Sequence, residues 1–264
     1  MCLIIFSYKM HPKYPLVLAA NRDEYYERPT APAAFWDDAP YLLAGRDLRE
    51  GGTWLGVTKK GRIAALTNYR NPSGLKQGAP SRGLLVSSYL RSRDDPPAYL
   101  SKLNATAGRY NGFSMLVGNP QHLYYTSNFG RTMELAPGLY GLSNRLLDTP
   151  WPKVEKGKKA LGAILAGGDD PNPDHIFRFL SDRTVPEDAD LPDTGIDRNW
   201  ERILSSIFIQ SPGYGTRSSN VILVDAKNRL TFIERVFTGE NSDLWLTTKF
   251  EFRLHPDNAD ETIK

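Results

Sequence analysis

Apolar positions change their spacing along this chain in a definite order. "CLIIFS" and "LVLAA" are short apolar runs joined by "YKMHPKYP", whose prolines and polar residues suit a hairpin connection. "TWLGVT" and "RIAALT" form a second pair across Lys59, Lys60 and Gly61, where the glycine is available for positive φ. From Ser81 the period lengthens. "SRGLLVSSYLRS" places Leu84, Leu85 and Tyr89 at helical spacing after a serine able to cap, and "PPAYLSKL" opens on proline as many helices do. Strand patterns return in "FSMLVGN", "HLYYTSN" and "GLYGLSN". The runs "WPKVEKGKKALGAILAGG", "PDHIFRFLSD" and "DRNWERILSSIF" predict three more helices, the first stopped by paired glycines. "SSNVILVD", "RLTFIERVF" and "LWLTTKFEFRL" close the pattern as strands before a polar tail.

Strands, helices, strands, helices, strands is not the alternation of βαβ units, so a doubly wound parallel sheet is disfavoured. "CLIIF" and "VILV" are apolar at consecutive positions and therefore buried on both faces. The expected fold class is α+β, a four-layer αββα sandwich in which two antiparallel sheets stack and helices cover their outer sides. With no internal repeat and no dividing linker, residues 1–264 are expected to form a single domain.

Composition narrows the function classes. The formal charge is +3 and the charged fraction 24%, with both signs interspersed, which argues against nucleic acid as a partner. No membrane span and no secretory signal is legible, so the expectation is a soluble, cytoplasmic protein. One cysteine excludes an internal disulfide, and four scattered histidines give no metal-ligand spacing. The oligomeric state cannot be read from the sequence.

That one cysteine is Cys2. Removal of Met1 would leave it carrying its own α-amine, a nucleophile and a general base in one residue. Position alone fits equally a small apolar side chain filling a strand. The strand beginning at Leu16 ends abruptly in Asn21, Arg22, Asp23 and Glu24. A cation there lowers a nearby thiol's pKa and a carboxylate can hold an amine, although a solvated strand end would look the same. Adjacent strand residues also face opposite sides, so both reach one site only where the strand ends or bulges. Gly51, Gly52, Thr53 and Trp54 form a distinctive block; the tryptophan could wall a cavity or fill core, and Arg46 and Asp47 could line the same mouth.

"MCLIIF", "LAANRDEYYERPT", "LAGRDLREGGTWLGVTKKGRIAALTNYRNP", "SRGLLV", "GLSNRLLDTPWPKV" and "TRSSNVILVD" together resemble the NRDE family, also called the transport and Golgi organisation protein 2 family, over essentially the whole chain. That family is in turn similar to the cysteine N-terminal nucleophile hydrolases of the choloylglycine hydrolase and penicillin V acylase type. The resemblance implies an amidohydrolase acting on a linear amide or acyl bond, with no cofactor required. Cys2 would attack, Arg22 and Asp23 would support it, Asn68 and Asn144 would bind the oxyanion, and Arg217 would organise the site. The hydrolases separate their arginine and aspartate by two residues whereas Arg22 and Asp23 are adjacent, which leaves open whether Asn21, Asp23 or Glu24 contacts the amine. Asn21, Glu24, Arg46 and Trp54 are the substrate-binding candidates. The same resemblance implies an alternative without catalysis, a carrier of haem or an acyl-CoA in the same cleft. No C-x-x-C-H motif and no placed histidine or methionine supports haem ligation independently.

Overall fold

A computed structural model describes residues 2–239 and 241–255. Met1, whose removal the N-terminal chemistry requires, and the polar tail after His255 lie outside the described residues. Two seven-stranded antiparallel sheets stack face to face. The first contains β1 (Cys2–Tyr8), β2 (Leu16–Tyr25), β10 (Gly138–Leu142), β11 (Gln210–Ser211), β12 (Tyr214–Val224), β13 (Arg229–Thr238) and β14 (Asn241–Arg253), in the order β10-β1-β2-β12-β13-β14 with β11 on β12. The second runs in chain order through β3 (Thr30–Trp36), β4 (Ala39–Asp47), β5 (Leu55–Thr58), β6 (Ile63–Asn68), β7 (Phe113–Gly118), β8 (Leu123–Ser127) and β9 (Met133–Glu134).

Strand alternation sorts the apolar residues into layers. Ile4, Phe6, Leu16 and Leu18 meet Leu43, Leu55, Val57, Ile63 and Leu116 between the sheets. Their neighbours Leu3, Ile5, Val17 and Ala19 point the other way, onto Val154, Leu161, Ile176, Phe177 and Leu180 of α3 (Pro152–Leu165) and α4 (Pro173–Leu180). On the far side Leu42, Ala64, Met115 and Val117 pack against Leu85, Tyr89, Leu100 and Leu103 of α1 (Gly83–Arg91) and α2 (Pro96–Thr106). Each fully buried leucine, isoleucine or phenylalanine contributes about 1.5–3 kcal/mol. The layers read helix, sheet, sheet, helix, the expected αββα sandwich.

Three local features depart from the sequence reading. β3 and β4, not anticipated, extend the second sheet, with β3 at its edge where the missing N–H of Pro32 is tolerable. The helix expected over 197–208 is short, α5 (Arg198–Ile203). Ser81 does not cap α1; Arg82 holds the cap position and no side chain caps that helix. By contrast Asp95 and Asn172 cap α2 and α4 through Ala98 N at 2.8 Å and Asp174 N at 2.9 Å. Among the described residues no helix is long and apolar enough to cross a membrane.

Candidate active site

Pairing of β1 with β2 puts Cys2 directly opposite Arg22. Both belong to the set that points between the sheets, so their side chains are cross-strand neighbours. Asp23 belongs to the opposite set yet also lines the cavity, and it lies beside a bulge in the neighbouring β12. There Tyr214 to Thr216 pair with Tyr25 to Asp23, the ladder skips Arg217, and Ser218 resumes opposite Arg22. Thr216 donates from Oγ1 to Asp23 Oδ1 at 2.7 Å while accepting from Ile209 N at 2.9 Å. The Asp23 backbone favours the thiolate form of Cys2. A cavity of about 360 Å³ opens at this point, lined among others by Cys2, Arg22, Asp23, Glu24, Arg46, Trp54, Asn68, Arg82 and Arg217.

Burial dominates the electrostatics. It pushes the Cys2 thiol up to about 11, with Asp23 adding to the rise and Arg22 opposing it. It also raises Asp23, against the charges of Lys153 and Arg22 and the Thr216 hydrogen bond. A resting thiol of this kind is protonated at neutral pH and needs a base within reach.

Asn21 and Asn144 stand outside the cavity lining. Asn21 faces the α3–α4 side, where its Nδ2 donates to Leu180 O and Ile207 O, each at 2.8 Å, and its Oδ1 accepts from Ser219 Oγ at 2.6 Å. It ties β2 to the helical layer and lies apart from the other candidates that line the cavity. Asn144 is fully buried, donating from Nδ2 to the backbone oxygen of Asn68 at 3.1 Å and accepting from Ser143 Oγ at 3.3 Å. Ser143 Oγ also lies 3.3 Å from Cys2 O, so Asn144 joins the ends of β1 and β6 from behind.

The remaining candidates divide by what holds them. Arg22 sits 3.8 Å from Glu24, which also reaches Arg28 at 4.0 Å. Arg46 clasps Asp38 through two bonds of 2.9 and 3.1 Å and stacks on Trp36 at the rim. Trp54 both packs on the inter-sheet core and lines the cavity. Arg217, the bulge residue, donates from Nη1 to Tyr25 O at 2.8 Å and Arg28 O at 3.0 Å.

Three residues behind the site escaped the sequence reading. Arg70 and Glu201 form a buried ion pair, with the guanidinium 5.0 Å from the Trp151 ring centroid. Lys153, only 3% exposed, donates from Nζ to Leu204 O at 2.7 Å. It shares the buried face of α3 with Val154, Gly157 and Leu161, and that spacing was the available signal. Burial lowers its pKa from 10.5 to about 8, with the charge of Asp23 opposing the shift. Between those two values the folded lysine binds fewer protons than the unfolded one, so this group makes stability rise with pH, until above about pH 9 the raised Cys2 thiol works in the opposite direction. Urea denaturation from pH 7 to 9 is expected to show this rise, and Lys153→Met is expected to remove it. An equal slope in both proteins would contradict the assignment. Among the described residues no group of three histidine, cysteine, aspartate or glutamate side chains could hold a metal ion.

A bovine (Bos taurus) protein named transport and Golgi organization protein 2 homolog is 42% identical over 276 residues, covering 96% of this chain and 99% of its own. Its human (Homo sapiens) namesake is 38% identical over 275 residues, with the same two coverages. Among solved structures, a Caenorhabditis elegans N-acylethanolamine-hydrolyzing acid amidase ortholog aligns over 84% of this chain and 92% of its own, at 9% identity and a TM-score of 0.48. The family model described as Transport and Golgi organisation 2 matches residues 1–239. The chain belongs to the Transport and Golgi organisation 2 family.

Proposed function

We propose that the protein is an acyl-transfer hydrolase of the N-terminal nucleophile type, cleaving an amide or related acyl bond in a small molecule. The observation that carries this reading is the lone thiol of the chain, at the start of β1, lining a cavity opposite Arg22 together with Asp23. With Met1 removed, the α-amine of Cys2 lies three covalent bonds from Sγ, which supplies the base that the raised thiol requires.

The sequence of steps is simple. Sγ attacks the acyl carbon as the S–H proton passes to the α-amine, and the oxyanion takes a hydrogen bond from Asn68. The C–N bond then breaks, the departing amine carries off the proton, and a thioester remains on Cys2. Water attacks that thioester while the α-amine accepts its proton, the acid leaves, and the proton returns to sulfur. Asp23 holds the ammonium form of the amine, and Arg22 favours negative charge on sulfur.

Intact mass before and after brief exposure to a thiol-directed acylating probe tests this, with Cys2→Ala alongside. Loss of Met1 together with rapid, Cys2-dependent acylation that decays on standing is the expected result. A protein that keeps Met1, or whose thiol is no faster than free cysteine, would remove the reading. The alternative of a haem or acyl-lipid carrier asks for an extended apolar wall. The lining instead includes Arg22, Arg28, Arg46, Arg82, Arg217, Asp23, Glu24, Asp47, Glu50 and Glu234, a surface suited to a small charged ligand.

A further inference from the structure

Arg82 occupies a position that is costly on two counts. It stands at the N-cap of α1, where a cation opposes the helix dipole by about 0.3–1 kcal/mol. Burial disfavours its charge as well, pulling its pKa below the usual arginine value, while a negative charge on Cys2 would restore it. A cap residue that accepts a hydrogen bond, as Asp95 does for α2, would serve the helix better.

The fold nevertheless fixes Arg82 firmly. Gly52 lies so close to the start of α1 that a Cβ there would come within 2.5 Å of the Gly83 carbonyl carbon, and Thr53 N donates to Gly83 O at 3.2 Å. The glycine pair and Thr53 therefore brace the turn that carries Arg82. This close approach accounts for the glycine at position 52 in the "GGTW" block.

The other cavity arginines are committed. Arg22 and Arg28 face Glu24, Arg28 also binds Asp47 at 2.6 Å, Arg46 is held by Asp38, and Arg217 spends Nη1 on two carbonyls. Among the described residues the Arg82 side chain makes one hydrogen bond, from Nη1 to Gly112 O at 2.9 Å, and has no carboxylate within ion-pair distance. The rest of its planar fork is available on the cavity side of Cys2.

We propose that Arg82 binds a negatively charged group of the ligand, so that the cavity selects acyl compounds carrying a carboxylate or phosphate within a few atoms of the carbonyl that Cys2 attacks. The substrate class rests on the acyl-transfer reading; the anion site does not. A guanidinium fork matches either anion through two parallel hydrogen bonds, and a ligand charge there offsets both the burial and the dipole cost.

Two readouts test it. In the first, Cys2 is alkylated with iodoacetate or iodoacetamide, electrophiles that differ in one charged group, and the rates are followed by mass. The ratio of the iodoacetate to the iodoacetamide rate is expected to exceed that of free cysteine at the same pH, and to fall at least tenfold in Arg82→Gln. Arg82→Lys, which keeps the charge without the fork, should fall between. An unchanged ratio in Arg82→Gln would overturn the proposal.

The second readout is the melting temperature in succinate or inorganic phosphate against chloride at equal ionic strength. A saturable rise in the wild type that Arg82→Gln abolishes is expected, and the stronger of the two anions identifies the ligand group. No rise, or the same rise in Arg82→Gln, would refute the site. If neither reagent alkylates Cys2 while the Arg82-dependent rise persists, the acyl-transfer reading falls and the anion site stands.

Discussion

Asn68→Ala is expected to lower kcat about 10²–10³-fold, the loss typical when one preorganised oxyanion donor is removed, with KM little changed. Asn68 ends β6, lines the cavity and has its backbone fixed on both sides, paired with Phe113 and accepting from Asn144 Nδ2 at 3.1 Å. A donor held in this way costs no reorganisation when charge develops on the substrate oxygen. On the acyl-transfer reading Asn144, which donates to Asn68 O, would support the donor from behind, so Asn144→Ala should lose less rate and more stability by untying a buried junction. The measurement is single-turnover acylation of Cys2 in each variant beside thermal melting. Equal rate losses from the two would assign the oxyanion contact to both residues, and an Asn68→Ala protein of wild-type rate would place the donor elsewhere.

Glu201→Ala should cost about 3–5 kcal/mol of folding stability, the range for leaving one half of a buried ion pair behind. Glu201 is 2% exposed, binds the Arg70 guanidinium and accepts from Thr194 N at 2.9 Å. Its removal leaves a buried positive charge without its carboxylate, next to Trp151 and close to Lys153. The pair also bears on the site. Arg70 N donates to Asn144 O at 2.8 Å, so the ion pair helps hold the chain that supports Asn68. Chemical denaturation of Glu201→Ala, Arg70→Met and the double variant Arg70→Met/Glu201→Leu checks this. Either single change should cost more than the double one, because the double removes both charges together. A double variant as unstable as the sum of the singles would mean that the pair itself is not the source of the effect.

Much of this arrangement was legible before any coordinates. The hairpins of β1 with β2 and of β5 with β6 announced themselves by apolar runs flanking proline- or glycine-bearing turns, and two-sided burial of "CLIIF" implied helices outside a sheet stack. Cys2, Arg22 and Asp23 stood out as candidates through the amine that loss of Met1 would give Cys2 and through the family resemblance, since charged residues at a strand end are ordinary in themselves. What escaped depends on distant partners. β3 and β4 mix proline, charge and short apolar stretches as loops do, and only pairing with a neighbour makes them strands. Asn21 was a candidate by sequence proximity, but the plain alternation of β2, in step with Val17 and Ala19, turns it onto the helical layer. Lys153 and Arg82 were missed for the opposite reason. Lysine and arginine read as solvated by default, and only the packing of α1 and α3 shows them turned inward.

The bulge at Arg217 can also be viewed as a matter of chain length. Between Tyr214 and Val224, β12 carries one residue more than the stretch of β2 it pairs with, Leu16 to Tyr25. Excising Arg217 would therefore shorten the strand to match, joining Thr216 to Ser218 with every other residue of β12 keeping its partner and the face it presents. The sheet would lose nothing it needs to close. In the language of loops and ladders Arg217 is an insertion of one, and the sheet is built to carry that extra residue at the edge of the cavity, where its guanidinium straps the end of β2 to the start of β3.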